Sequence, residues 1–204
     1  MKVLIGTYRN MRYVPTALES LAENVTGVGE LVFIDDSGDA ANARALADYG
    51  RVVEVDRRGY TAAMTEACKE ANGEMVFWLE EDFTFNRPVD LDELAAQLEE
   101  RPYLAQIVLL RQPVYPGELL AGGVIEHCER VGHRFTEVDG LIEHTAFFSG
   151  NPGVWAGAVS QVGWPQTEWS EHTMRHTMMS KGYRFALLPG QAVTHWGEHS
   201  GFGY

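Results

Sequence analysis

The chain has 204 residues, is 45% hydrophobic, and carries 29 acidic against 16 basic side chains for a formal charge of −13. That length and apolar fraction suit one globular domain, residues 1–204, with a sizeable core, while the charge repels polyanions and disfavours duplex nucleic acid and anionic membrane as partners. The two cysteines, Cys68 and Cys128, lie far apart without a CxxC partner, which argues against a disulfide framework and a thiolate zinc site.

Near the N-terminus the apolar run 3–5 closes at Gly6. It is too short for a signal peptide or a membrane span, so a soluble, cytoplasmic protein is expected. Through residue 111, short β-branched runs alternate with helical patterns, the signature of βαβ units and a mainly parallel sheet. Strands are predicted over residues 2–5, 31–34, 52–55 and 75–79. Helices at 13–23, 40–47 and 61–71 carry small or apolar residues at three- and four-residue spacing. Asp90 is the expected N-cap of a helix over 91–100, and a strand over 104–110 follows. Beyond Arg111, Pro113, Pro116, Gly117, Gly122, Gly123 and Gly132 break the pattern. Residues 112–204 are expected to form loops and short strands, with helices near 152–162 and 168–180 and strands at 184–187 and 192–195.

Ligands of an open parallel sheet collect beyond the carboxyl ends of its strands. Those ends read Gly6-Thr7-Tyr8-Arg9-Asn10, Asp35-Asp36-Ser37-Gly38, Asp56-Arg57-Arg58-Gly59 and Glu80-Glu81-Asp82. Three adjacent carboxylates after a buried strand repel one another unless a cation or a set of donors sits among them. Hard divalent ions such as Mn²⁺ or Mg²⁺ take oxygen ligands and bridge to phosphates; the plainer alternative is a solvated loop. Asp35 and Asp36 suit either a nucleobase imide or ribose hydroxyl, or an Asx turn before the next helix. Gly59 opens a helix, where the backbone can approach an anionic group closely.

The succession VLIGTYRN, LVFIDDSGD and RRGYTAAMTEACKEANGEMVFWLEEDF resembles the family-2 glycosyltransferases in order, spacing and strand context over roughly residues 1–85. The resemblance implies a GT-A (Rossmann-like) α/β fold, its mainly parallel sheet flanked by helices, with a nucleotide-sugar half at 1–111 and an acceptor half at 112–204. It implies that Thr7, Tyr8 and Asp36, with Asp35, cradle the base and ribose, and that Arg58 and Gly59 lie near the nucleotide. Glu80 and Asp82 take the two acidic places of the metal motif, with Glu81 between them on the donor side. Glu80 replaces the usual first aspartate, and Met64-Thr65 stand where Arg-Asn is frequent.

The resemblance resumes at FFSGNPGVW and in the ending EWSEHTMRHTMMSKGYRFALLPGQAVTHWGEHSG. There Glu171, eleven residues before Gly182, matches the catalytic base of inverting members. Ser170 replaces the acid that precedes it, and Glu168 is the substitute. His195 falls at the histidine that completes the metal or diphosphate shell. A Mn²⁺- or Mg²⁺-dependent hexosyltransferase-like enzyme is implied, using a nucleoside diphosphate sugar, UDP-sugar favoured, with an acceptor that is open and includes macromolecules. A nucleotidyltransferase-like enzyme of the same fold and a non-catalytic nucleotide- or carbohydrate-binding module are the rivals.

Two histidine patterns compete with this reading. His195-Trp196-Gly197-Glu198-His199 fits H-x-x-E-H, but Gly197 argues against the helix that zinc motif needs. His172 and His176, four apart on a helix, could clasp a metal, but no third ligand is identifiable and solvent exposure or acceptor contact is the better reading. Among Trp155, Trp164, Trp169 and Trp196, one or two are expected along an acceptor cleft and the others in the core.

Overall fold

Runs such as Val76-Phe77-Trp78-Leu79 are apolar on both sides of the chain, and a strand of this kind needs cover on both faces. The computed structural model, which describes residues 1–8 and 11–197, supplies that cover. The first half builds β1 (Lys2–Thr7), α1 (Val14–Asn24), β2 (Val25–Thr26), β3 (Leu31–Asp35), α2 (Ala40–Leu46), β4 (Arg51–Glu54), α3 (Tyr60–Ala71) and β5 (Val76–Glu80). β6 (Phe83–Phe85), β7 (Val89–Asp90), α4 (Leu91–Glu100) and β8 (Leu104–Leu110) lead out of it. Then come α5 (Pro116–Ala121), α6 (Val124–Arg130), β9 (Phe135–Val138), β10 (Leu141–His144), β11 (Gly153–Trp155), α7 (Gly157–Val162), α8 (Ser170–Ser180), β12 (Arg184–Gln191) and β13 (Val193–His195).

Nine strands form one sheet in the order β4-β3-β1-β5-β11-β8-β12-β10-β9. All but β10 and β11 run in the same direction, as the strand pairings require. The expected mainly parallel α/β fold is therefore present, and the carboxyl ends of β1, β3, β4, β5 and β8 share one edge. One core face gathers Val3, Ile5, Phe33, Phe77 and Leu79 with α1 and α4. The other gathers Leu4, Ile34, Trp78 and Trp155 with α3, α7 and α8. Asp90 caps α4 as expected, its Oδ1 accepting from the backbone N–H of Asp92 (2.9 Å) and Glu93 (3.3 Å). No helix among the described residues is long and apolar enough to cross a membrane.

The second half is more regular than its glycines and prolines promise. Residues 152–162, expected as one helix, divide into β11 and α7. β11 lies antiparallel between β5 and β8, and a Cβ at Gly153 would meet the Ile107 carbonyl oxygen at 2.6 Å. A glycine is what lets that short apolar strand wedge in. The segments 116–121 and 124–130, expected as loops, are short helices. Asp139 and Gly140, both at positive φ (45° and 82°), close a tight hairpin between β9 and β10.

His144, at the end of that hairpin, is buried against Phe135, Phe147 and Phe185. Its Nδ1 accepts the Ala146 N–H at 3.2 Å, and its Nε2 is buried without a partner. Burial, reinforced by Arg175 and His133, lowers its pKa from 6.5 to about 3. A group whose folded pKa is depressed in this way contributes stability that is complete above the unfolded value and is lost as pH falls toward the folded one. Between pH 6.5 and about pH 4 the protein is expected to lose about 3 kcal/mol to this residue. His144→Asn, which keeps an acceptor near Nδ1 without the charge change, should flatten that part of a urea-midpoint-versus-pH curve.

Candidate active site

The strand ends meet as expected, and their carboxylates do different work. Asp35 and Asp36 are 2% and 1% exposed. Asp35 accepts the Ser37 N–H (3.1 Å) and hydroxyl (3.0 Å) and, more weakly, the Thr7 hydroxyl (3.3 Å), so it shapes the loop after β3 and tethers β1 to it. Asp36 accepts the backbone N–H of Arg58 (2.8 Å) and Gly59 (2.7 Å), one on each oxygen. The anionic group at the head of α3 is thus the protein's own carboxylate. The contact holds a turn in which Asp56 and Arg57 both adopt left-handed backbone (φ 62° and 58°). Charge-assisted hydrogen bonds offset the cost of such a turn. Gly59 itself has φ 88°, and nothing lies within 4 Å of where its Cβ would be. The space beside it is open.

β5 ends at Glu80, and the chain then turns into β6, which pairs with β13 so that Phe83 opposes His195. Glu81 is buried and accepts the Tyr8 N–H at 3.0 Å, bracing the end of β1. Asp82 Oδ2 lies 3.2 Å from His195 Nε2, and the His195 ring stacks on Phe83 with centroids 4.5 Å apart. The Gln112 side chain clamps the His195 backbone from both sides, donating to its carbonyl (2.7 Å) and accepting its N–H (3.0 Å). At Gly197 a Cβ would fall 1.9 Å from Asp82 Oδ2 and 2.8 Å from His195 Nε2, so the backbone closes over the pair. Val193–His195 is a strand, which removes the helix that the H-x-x-E-H reading required. Glu198 and His199 of that motif lie outside the described residues.

Asp82 Oδ1 is buried without a hydrogen-bond partner. The Glu80 carboxyl is held well above the usual carboxylate range by burial first, then by Asp82, Glu81 and Glu171. Among the described residues no three of His, Cys, Asp and Glu converge as a metal cage. Of the expected set, Asp82 and His195 meet directly, while Glu80 ends β5 on the main sheet and Asp82 lies in the turn between β5 and β6. Mg²⁺-like ions are commonly held by one or two protein carboxylates, with phosphates and water completing the shell, and this arrangement fits that mode.

Glu80's raised pKa has a sign. Its protonated form is favoured in the folded state, so stability is present below its unfolded value near 4.5 and lost as pH rises through the folded one. Glu80→Gln is therefore expected to raise the metal-free melting temperature at neutral pH, by about 1 kcal/mol in stability, and to change little at pH 4. Differential scanning calorimetry in EDTA at both pH values measures this.

Glu171 lies in the first turn of α8, near enough to Glu80 for its charge to raise the Glu80 pKa. Its Oε1 accepts the Gly150 N–H (2.7 Å) and the Tyr60 hydroxyl (3.1 Å), while Oε2 makes no hydrogen bond among the described residues. A Cβ at Gly150 would clash with both the Tyr60 hydroxyl (2.4 Å) and Oε1 (2.6 Å), so only glycine permits the approach. Burial raises the Glu171 pKa against the opposing effects of Gly150, Tyr60 and Arg111. Beside it a cavity of about 230 Å³ is lined by Arg111, Tyr115, Phe148, Asn151 and Leu187 among others. Arg111 in that wall forms a bidentate pair with buried Glu118 (2.8 and 3.0 Å). Glu168 is exposed on the turn before α8. Trp155 and Trp164 are core residues, 1% and 5% exposed, whereas Trp169 and Trp196 are 60% and 58% exposed.

A model of glycosyl transferase family 2 matches residues 2–127. The chain belongs to that family. Among solved structures, this family-2 chain is similar to S. aureus TarS 1-349 in complex with UDP-GlcNAc, with TM-score 0.65 and 17% identity over 100% of this chain and 61% of that one. It is also similar to the mannosyltransferase PcManGT from Pyrobaculum calidifontis in complex with GDP-Man and Mn²⁺, with TM-score 0.67 and 17% identity over 98% and 58%. Likeness at that identity establishes the GT-A fold, and the chain spans less than two thirds of the length of either structure. No curated protein matches by sequence.

Proposed function

We propose that this family-2 chain is a metal-dependent, inverting glycosyltransferase that moves a sugar from a nucleoside diphosphate donor, a UDP-sugar foremost, to an acceptor hydroxyl. One observation carries the reading. Glu171 has Oε1 held by two donors while Oε2 takes no hydrogen bond among the described residues, and its charge reaches Glu80, two residues before the Asp82 that meets His195.

The nucleotide lies over the ends of β1, β3 and β4. There Thr7 and Tyr8 line one side, Asp35 and Asp36 hold the loop shapes, and Arg58 and Gly59 border the open space at the head of α3. Asp82 and His195 would hold Mn²⁺ or Mg²⁺ there. The chemistry such a cation would supply when bound is positive charge against the departing diphosphate. Glu171 Oε2 accepts the proton of the acceptor hydroxyl as that oxygen attacks the anomeric carbon. A single displacement from the face opposite the diphosphate inverts the centre. Glu168, on the exposed turn, is the weaker choice for the base, because no hydrogen bond among the described residues orients its side chain. The complexes of TarS with UDP-GlcNAc and of PcManGT with GDP-Man and Mn²⁺ support the donor class and the cation.

A panel of nucleoside diphosphate sugars, with Mn²⁺, Mg²⁺ or EDTA, tests the proposal by thermal shift and by product release. A donor-specific, metal-dependent rise in melting temperature with release of nucleoside diphosphate is expected. Release of pyrophosphate from a nucleoside triphosphate and a sugar phosphate would instead indicate the nucleotidyltransferase. Stabilisation without turnover across acceptor classes would indicate the binding module.

A further inference from the structure

Helix α8 offers the cleft its Glu171 and, one residue later, carries His172 on its exposed side. His172 and His176 are four residues apart, so they stand one turn above the other on the same face. Their Nε2 atoms are 3.1 Å apart, with ring centroids at 4.4 Å and planes inclined by 67°. Among the described residues neither ring bonds to any other group, and the reaction proposed above uses neither. Two Zn–N bonds of about 2.0–2.1 Å span that 3.1 Å at an N–Zn–N angle of about 100°, between the tetrahedral and octahedral values.

We propose that His172 and His176 form a two-imidazole binding site for a borderline divalent cation of the Zn²⁺ class, distinct from the carboxylate–imidazole pair of Asp82 and His195. Ligand type separates the two. Imidazole pairs suit Zn²⁺, Ni²⁺ and Cu²⁺, whereas carboxylate and phosphate oxygens suit Mg²⁺ and Mn²⁺. Because no third protein ligand converges among the described residues, water fills the remaining positions and the ion exchanges readily. The site has a structural consequence: α8 begins without a side-chain cap at Trp169, leaving its first turn dependent on other supports. A cation bridging residues 172 and 176 ties the first turn to the second and so stiffens the segment that holds Glu171.

The test is titration of the full chain with Zn²⁺ alone, by calorimetry and thermal shift, on the wild type and on His172→Gln, His176→Gln and His195→Ala. Zn²⁺ should bind the wild type and raise its melting temperature, and one equivalent should still bind His195→Ala, where the Asp82–His195 pair is lost. Either glutamine variant should weaken binding by at least about tenfold while melting like the wild type in EDTA, since both side chains are exposed. Unchanged Zn²⁺ binding in His172→Gln and His176→Gln, loss of binding only in His195→Ala, or no binding to the wild type would each overturn the proposal. None of these readouts depends on transferase activity.

Discussion

Asp82→Asn is expected to cut sugar transfer roughly 10³-fold at saturating donor, a loss of about 4 kcal/mol in transition-state stabilisation, while leaving the metal-free fold intact. The substitution keeps the side chain's size and its place beside His195 Nε2, 3.2 Å away in the wild type. It removes the charge that a divalent ion needs and alters the buried Oδ1 that lacks a partner. Apo stability should hold or rise, because a carboxylate crowded by Glu80 and Glu81 is replaced by a neutral amide. Donor-induced thermal stabilisation in Mn²⁺ should vanish along with the activity. If Asp82→Asn retained wild-type turnover with added Mn²⁺, the metal would have to be held elsewhere and the arrangement proposed for the diphosphate would be wrong.

The parts of the molecule that local patterning dictates were legible in the sequence. Val3-Leu4-Ile5, Val32-Phe33-Ile34 and Val76-Phe77-Trp78-Leu79 announce buried parallel strands, and the residues after them fall on one edge because parallel strands share a direction. β11 was misread because a three-residue apolar run beside Pro152 and Gly153 has no period that separates strand from helix. The hairpin at Asp139-Gly140 had a usable signal in its turn dipeptide, which the surrounding polar residues obscured. Long-range pairings were the least accessible. Asp36 finds its donors at Arg58 and Gly59, Gln112 finds its partner at His195, and Tyr60 meets Glu171 across 111 positions. Residue types at strand ends pointed to the carboxylates of the site. Which of them bind outward and which brace the protein depends on contacts that only folding creates.

Glu171→Gln separates those two duties within one side chain. Glutamine's carbonyl oxygen can accept the Gly150 N–H and the Tyr60 hydroxyl as Oε1 does, so the loop geometry survives, but its amide cannot take a proton in place of Oε2. Transfer is expected to fall by roughly 10²–10⁴-fold, the range of a positioned general base, with donor affinity unchanged. In the wild type, burial raises the Glu171 pKa, and a base works only when ionised. Activity should therefore climb with pH along a limb displaced above the ordinary glutamate range, and that limb should be missing from the residual activity of Glu171→Gln. Tyr60→Phe removes a hydrogen bond that favours the ionised form, so the limb should move to still higher pH with a smaller loss at its plateau. A Glu171→Gln enzyme with near-normal kcat and the same acid limb would transfer the role to another carboxylate, and a matching loss in Glu168→Gln would name it.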